Sequence, residues 1–313
     1  FEALGLKKLI STSYAPESMT YKNGRQLSIF ETQSPKFDKD KTKTHGKIFI
    51  LSYNACPNEH VCLDKLQWQY LDEDGDFRSK EVTKLRDEAD IIVTNPPFSL
   101  FREFLGWIED AHKQFIIIGN INCVTYKEVF PLIQNNKIWM GCTIHSGDRE
   151  FGVPDEYPLK ASGWRVDENG KKFIRVKGVR WYTNIDHGQR HSPLSLMSMA
   201  DNVKYSKHKE IKGKKYAKYD NYDAIEVPYT DSIPDDYDRM MGVPISFLDK
   251  YCPEQFEIVG MAKRGAGDPS LRSKVYTKSD YPNYSDLNAT PTIKDDNGVL
   301  HNTYPRILIR KKQ

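Results

Sequence analysis

The sequence predicts an α/β protein built on a doubly wound parallel sheet. Three observations predict it. Residues 90–94 (DIIVT) and 115–119 (FIIIG) are short, continuously apolar runs, the composition of strands buried on both faces. The segment between them repeats Leu100, Phe101, Phe104, Leu105 and Ile108 at helical spacing. A second helical stretch at 126–135 and a third strand opening at Ile138-Trp139-Met140 continue the strand–helix alternation that parallel sheets require.

Taken in order, residues 6–13 (LKKLISTS) read as a short strand. Residues 47–53 (KIFILSY) and 66–70 (LQWQY) read as two more, a hairpin-like pair around residues 56–60. Residues 79–89 predict a charge-rich helix with Val82, Leu85 and Ala89 on one face. Ser99 is the expected N-cap of the helix that runs to about His112, and Thr125 of the helix over 126–135. Residues 176–184 (VKGVRWYTN) predict a further core strand. Beyond His187 the alternation gives way to basic, Tyr-, Pro- and Asp-rich sequence, which places a soft boundary near residue 186.

Composition narrows the class. Of 313 residues, 38% are hydrophobic and 28% charged, which is ordinary for a globular chain and excludes wholesale disorder. No apolar run approaches the ~20 residues needed to span a membrane. The opening Phe1-Glu2-Ala3-Leu4 lacks the basic start and apolar stretch of a signal peptide. The five scattered cysteines suit a reducing cytoplasm better than a disulfide framework, so a cytoplasmic location is expected. Net charge is only +3, but lysines concentrate at 204–218, interleaved with Tyr205 and Tyr216. By itself such a run is as well read as a solvated loop as a nucleic-acid contact.

The chemistry sits at Asn95-Pro96-Pro97-Phe98, directly after the strand at 90–94. In open α/β sheets ligands bind beyond the carboxyl ends of the strands. An exocyclic amine conjugated to a purine ring is a poor nucleophile. Hydrogen-bond acceptors aimed at it draw the nitrogen toward a tetrahedral geometry with a free lone pair. The Asn95 side-chain oxygen is one such acceptor, and the Pro96 carbonyl can be the second. Consecutive prolines fix φ and remove competing N–H donors. Phe98 offers a flat face for a base taken out of its helix. A bare Asn-Pro turn is the alternative for the four residues alone. Upstream, Asp74-Gly75-Asp76-Phe77 follows the preceding strand. Asp76 can accept from the amino group of an adenosine and Phe77 can pack on its ring, whereas Asp72 and Asp74 read as turn carboxylates.

At these residues the chain resembles a class I S-adenosylmethionine-dependent amino-methyltransferase, and within that group the EcoRI-type adenine-specific DNA methyltransferases. The stretches that carry the resemblance include residues 4–13 (LGLKKLISTS), 74–79 (DGDFRS), 90–101 (DIIVTNPPFSLF), 125–130 (TYKEVF), 136–141 (NKIWMG), 218–225 (KYDNYDAI), 241–248 (MGVPISFL) and 305–309 (PRILI). The resemblance implies a Rossmann-like methyltransferase sheet over residues 1–186 and a DNA target-recognition region over 187–313. It implies S-adenosyl-L-methionine as cofactor and methyl transfer to adenine N6 in double-stranded DNA, by flipping the base into the Asn-Pro-Pro-Phe pocket. Asn95, Pro96, Pro97 and Phe98 take the amino-methylation role, and Asp76 and Phe77 the cofactor-binding one. The family pattern has a segment before the position matching Phe1, with the first strand and the cofactor loop. Weak cofactor binding by these residues alone is therefore expected. A cognate restriction endonuclease sharing the recognition site without forming a complex, and GAATTC as that site, belong to the same implication.

Given a DNA substrate, Lys212, Lys214, Lys215 and Lys218 are candidates for phosphate contacts. Arg180, Arg190, Asn202 and Asn221 are of the residue types that read base edges. Cys56, His60 and Cys62 offer too few ligands at unsuitable spacing for zinc, and no metal or membrane partner is expected. Cys123 is read as packing and Trp139 and Trp181 as core-filling, support of a flipped base being the alternative role for Trp139 near its strand end. Two rival readings use the same residues: methylation of a protein glutamine or an RNA guanine amine, and a DNA-binding relative without activity.

Overall fold

The computed structural model describes residues 4–15, 33–52, 66–142, 149–155, 157–159, 163–280 and 288–312. The chain divides into two compact units. One comprises Phe1–Asp90, Trp107–Lys113 and Gly152–Phe173, and the other Ile91–Gly106, Gln114–Phe151 and Ile174–Gln313.

In the first unit, β1 (Lys8–Ser13), β2 (Lys47–Ser52) and β3 (Gln67–Tyr70) form an antiparallel sheet in that order. Register places Phe49 opposite Trp68, and the two rings stack 6.3 Å apart. Trp68 is buried, and the Lys47 ammonium lies 5.6 Å from the centre of its ring, a cation–π contact that accompanies the burial of this lysine. After a short helix, α1 (Lys41–Thr44), the main helix of the unit is α2 (Lys80–Glu88). The Ser79 hydroxyl accepts from the Val82 N–H at 3.2 Å, which satisfies one of the orphan donors of its first turn.

In the second unit the strand end of the Asn-Pro-Pro-Phe motif is built. β4 (Ile91–Thr94) leads through a 3-10 turn (Phe98–Leu100) into α3 (Phe101–Glu109), then β5 (Gln114–Asn120), a second 3-10 turn (Ile121–Thr125), α4 (Phe130–Gln134) and β6 (Trp139–Met140). Strands β7 (Arg149–Val153) and β9 (Lys172–Val176), which each cross between the units, and β8 (Trp164–Val166), which belongs to the first, precede β10 (Val179–Thr183). The sheet order is β4-β5-β10-β6. β4 and β5 are parallel, while β10 is antiparallel to both β5 and β6. The three strands expected to be co-directional therefore are so, but a reversed strand is inserted between the last two. A mixed α/β architecture with several sheets replaces an all-parallel one.

Three local expectations are corrected. Residues 90–94 are not buried on both faces: Val93 is 67% exposed, because β4 is an edge strand with one hydrogen-bonded neighbour among the described residues. Ser99 does not cap a helix; it lies inside the 3-10 turn, whose N-cap position is held by Pro97. Thr125 does not cap one either. Its hydroxyl donates back to the Asn122 carbonyl at 2.8 Å, and α4 starts only at Phe130.

The chain from residue 187 onward continues the same unit. After α5 (Met199–Tyr205), β11 (Ile225–Glu226), β12 (Met241–Pro244), β13 (Phe256–Ala262), β14 (Thr292–Lys294), β15 (Leu300–Asn302) and β16 (Arg306–Lys311) follow. They form a four-stranded sheet of order β11-β12-β16-β13 and the β14-β15 pair. Ile307, Leu308 and Ile309 of β16 are fully buried. Beside them Arg306 is ion-paired with Glu226, which also accepts from the Tyr219 hydroxyl. Arg180 of β10 forms a fork-to-fork pair with Asp249, at 2.7 and 2.8 Å, both side chains being buried. Removing one partner of such a pair costs about 3–5 kcal/mol, since an uncompensated charge stays behind.

The start of α3 is held by close packing. Phe101 is fully buried with its ring centre 4.8 Å from that of Tyr182, over Gly119 of β5. A Cβ at Gly119 would meet the Phe101 ring at 2.5 Å and the Tyr182 ring at 3.0 Å. Gly119→Ala is expected to destabilise the protein by about 1–3 kcal/mol through overpacking. Thermal denaturation measures this, and an unchanged melting temperature would show that the three groups do not set the packing here.

Candidate active site

The parallel register pairs Thr94 with Ile117, so the chain leaves β4 and β5 at the same edge of the sheet. That edge is where side chains and free backbone groups converge on a ligand in open α/β sheets. Asn95, the first residue beyond β4, is exposed, and its carboxamide has no hydrogen-bond partner among the described residues. Pro96 is buried. The Pro97 carbonyl accepts from the Leu100 N–H at 2.8 Å, closing the 3-10 turn. The Pro96 carbonyl has no donor among the described residues. Phe98, half-buried, opens the turn whose far end is anchored by Phe101.

β5 leaves the sheet through a different device. The Asn120 side chain accepts from the Asn122 N–H and donates to the Lys177 carbonyl, each at 2.9 Å, which fixes the turn that follows. Cys123 is buried in that turn, and burial pushes its thiol pKa up, so this cysteine packs rather than reacts. Burial likewise raises the Tyr126 phenol, whose ring lies 5.1 Å from the Arg102 guanidinium.

A groove of about 750 Å³ opens beside this second strand exit. Asn122, Thr125, Tyr126, Tyr229, Lys263 and Tyr304 are among the residues that line it. The groove is not among the features expected from the sequence. Lys263 closes the apolar strand FEIVGMA and opens a basic, Gly-rich loop, which is a visible signal. Nothing in the spacing relates that loop to residues 122–126.

In the first unit, Asp76 and Phe77 sit on a loop pinned by backbone bonds: Ala15 N–H to the Asp74 carbonyl at 2.7 Å, and Gly46 N–H to the Glu73 carbonyl at 2.9 Å. Gly75 has φ +85°, a conformation that suits glycine, and packs on Gly46. The Arg78 guanidinium binds both Asp76 oxygens, at 2.9 and 2.8 Å, and its hydrogen bonds hold the carboxyl below the usual range. Asp76 is therefore a firmly ionised acceptor with lone pairs to spare. Phe77 is buried edge-on against Trp107, ring centres 5.5 Å apart.

The lysine run lies on the turn after α5, where Gly213 has φ +73°. Lys212, Lys214 and Lys215 are exposed with no carboxylate at ion-pair distance among the described residues, whereas Lys218 pairs with Asp223 at 2.8 Å. His208 stacks on Tyr229 with ring centres 3.6 Å apart, so the run adjoins the rim of the groove.

The candidate base readers fare differently. Arg180 is consumed by Asp249, and Asn202 and Asn221 are fully buried, Asn221 accepting from the Thr292 N–H. Side chains buried in this way do not reach a base edge, whether partnered like Arg180 and Asn221 or, like the Asn202 oxygen, without a partner among the described residues. Arg190 lies over the Trp139 ring at 3.9 Å and donates to Asn136. Trp139 and Trp181 are half-buried rather than core-filling. Cys56, His60 and Cys62 lie outside the described residues. Among the described residues no group of three His, Cys, Asp or Glu is placed to hold a metal, and no helix is long and apolar enough to cross a membrane.

Residues 1–312 match the family model described as adenine-specific methyltransferase EcoRI. The chain is 41% identical over 263 residues to Type II methyltransferase M.EcoRI of Escherichia coli, covering 84% of this chain and 72% of that protein. It is 35% identical over 247 residues to Type II methyltransferase M.MgeORF184P of Mycoplasma genitalium, with 78% and 71% covered. A third relative, Type II methyltransferase M.MpnI of Mycoplasma pneumoniae, is 31% identical over 283 residues, with 89% and 74% covered. No solved structure matches the chain. With its whole described length inside the family model and this identity to three curated members, the chain belongs to the EcoRI family of adenine-specific methyltransferases.

Proposed function

We propose that the protein methylates the N6 amine of adenine in duplex DNA, at a site formed by Asn95, Pro96, Pro97 and Phe98. One observation carries this reading: beyond β4, the Asn95 carboxamide and the Pro96 carbonyl are acceptors without partners among the described residues, on a stiff loop. Together they match the two N–H bonds of an exocyclic amine. Hydrogen bonding to both draws the nitrogen lone pair out of conjugation as attack proceeds, an effect strongest in the transition state. Phe98 stacks against the extruded base, and Pro97 holds the turn so that the acceptors stay in place. No strong base is needed, because the amine becomes acidic once methylated and can then release its proton to water.

The cofactor of the reading is S-adenosyl-L-methionine. Asp76 and Phe77 fit its adenosine end, since the ionised Asp76 retains acceptor capacity beside Arg78 on a pinned loop. When bound, the cofactor supplies an electrophilic sulfonium methyl. The co-directional β4, β5 and β6 support a doubly wound, Rossmann-like core within residues 1–186, and residues 187–313 take the DNA target. Since the second compact unit straddles residue 186, this division is one of labour along the chain. Lys212, Lys214, Lys215 and Lys218 contact phosphates, and the setting is cytoplasmic.

Asn95→Ala is expected to lower the single-turnover methylation rate by ~10²–10³ while DNA affinity stays within a few-fold. A near-normal rate would remove Asn95 from the reaction. Phe98→Ala is expected to weaken base capture by roughly 1–3 kcal/mol. The readout is fluorescence of 2-aminopurine at the target position, and an undiminished signal would place Phe98 outside the pocket. Neutralising Lys212, Lys214, Lys215 and Lys218 together should flatten the salt dependence of DNA binding by about one unit of slope for each phosphate that no longer meets an ammonium. The three unpaired lysines account for most of that change, and an identical slope would return the run to a solvated turn.

A further inference from the structure

The groove at the exit of β5 has three properties that the Asn-Pro-Pro-Phe loop does not explain. None of its lining residues is acidic. Arg306, which lines it, is neutralised by Glu226, so Lys263 is the cation left without a carboxylate partner among the described residues. Its rim carries Tyr304, 79% exposed between Thr303 and Pro305, a large ring with little to hold it in water.

Lys263 is positioned rather than loose. It follows directly on β13, and its ammonium donates to the Thr125 hydroxyl at 2.8 Å, leaving its other N–H bonds for a ligand. The loop behind it is a tight turn in which the Gly267 N–H bonds the Lys263 carbonyl at 3.1 Å. A Cβ at Gly267 would collide with the Met261 carbonyl, so only glycine fits the turn. Thr125 in turn lies on the segment leaving β5, the parallel neighbour of the strand that presents Asn95.

We propose that this groove holds the DNA strand flanking the target adenine, with Lys263 on a backbone phosphate and Tyr304 stacked against a base. The proposal rests on the reading of the protein as a duplex DNA methyltransferase. An acid-free groove with one positioned, uncompensated ammonium and one exposed aromatic ring matches the chemistry of a polyanion that carries stackable bases. Its place at the edge shared by β4 and β5 puts that strand on the side of the sheet where the amine acceptors lie. Continuity through the Tyr229–His208 stack extends the same surface to the lysine turn after α5.

The test is duplex binding by fluorescence anisotropy across a salt series, for the unaltered protein, Lys263→Met, Lys263→Arg and Tyr304→Ala, with thermal melting to verify folding. Lys263→Met is expected to reduce the slope of log affinity against log salt by about one, and Lys263→Arg to keep it. Tyr304→Ala is expected to weaken binding by roughly 5- to 150-fold with the slope unchanged. An unaltered slope in a folded Lys263→Met protein overturns the proposal. So does an equal reduction in Lys263→Arg, which would assign Lys263 to holding Thr125. Absence of salt-dependent duplex binding by the unaltered protein would instead sink the underlying DNA reading and this proposal with it.

Discussion

The parallel pairing of β4 with β5 is the constraint on which the site depends. It brings two chain exits to one edge of the sheet, and each exit then follows its own local chemistry. After β4, two prolines forbid further ladder bonds and project Asn95 away from the fold. After β5, Asn120 ties the turn to the segment before β10, which leaves Asn122 exposed and Tyr126 half-buried while Cys123, Val124 and Thr125 pack inward. Gly119, Phe101 and Tyr182 lock the helix that follows the first exit onto the strand that forms the second. Small errors in that packing would be transmitted directly to the spacing of the acceptors. Geometry of this kind is costly to misplace where positioning is the main source of rate.

Buried charge supplies a second layer of order. The Arg180–Asp249 pair joins β10 to the turn after β12, and the Arg306–Glu226 pair, with Tyr219, lies inside the C-terminal sheet. Both tie residues beyond 186 to one compact unit. They also explain why an arginine of the right type for base reading is unavailable for it: Arg180 has no exposed edge. Exposed cations such as Lys212, Lys214 and Lys215, and the half-hidden Lys263, are the groups with charge left for a partner. Membership of the adenine-specific methyltransferase family replaces the glutamine and RNA-guanine readings that the motif alone leaves open.

Much of the local structure was legible because it obeys periodicity. The strands at 8–13, 47–52, 67–70 and 179–183, and the Ser79-capped helix, lie within the segments expected from the sequence, and the strand at 114–120 extends the expected 115–119 by one residue at each end. Sheet order was not legible, since hydrogen-bond partners of β10 are set by tertiary packing and not by its own pattern. The caps at Ser99 and Thr125 failed for a local reason. Adjacent prolines favoured a 3-10 turn in one case, and in the other a side-chain bond back to Asn122 competed with capping. The motif Asn95–Phe98 was readable because its chemistry is contained in four consecutive residues. The groove was not, because Thr125 and Lys263 are 138 positions apart in sequence and become neighbours only in the fold.

The central claim is that this edge of the sheet transfers a methyl group to adenine N6 in duplex DNA. The most direct measurement is nucleoside mass spectrometry of duplex DNA after incubation with the protein and isotopically labelled S-adenosylmethionine. The expected result is label in N6-methyladenine, confined to one short sequence context and absent from cytosine. Label on cytosine, or none on adenine while the protein binds both cofactor and duplex, would contradict it.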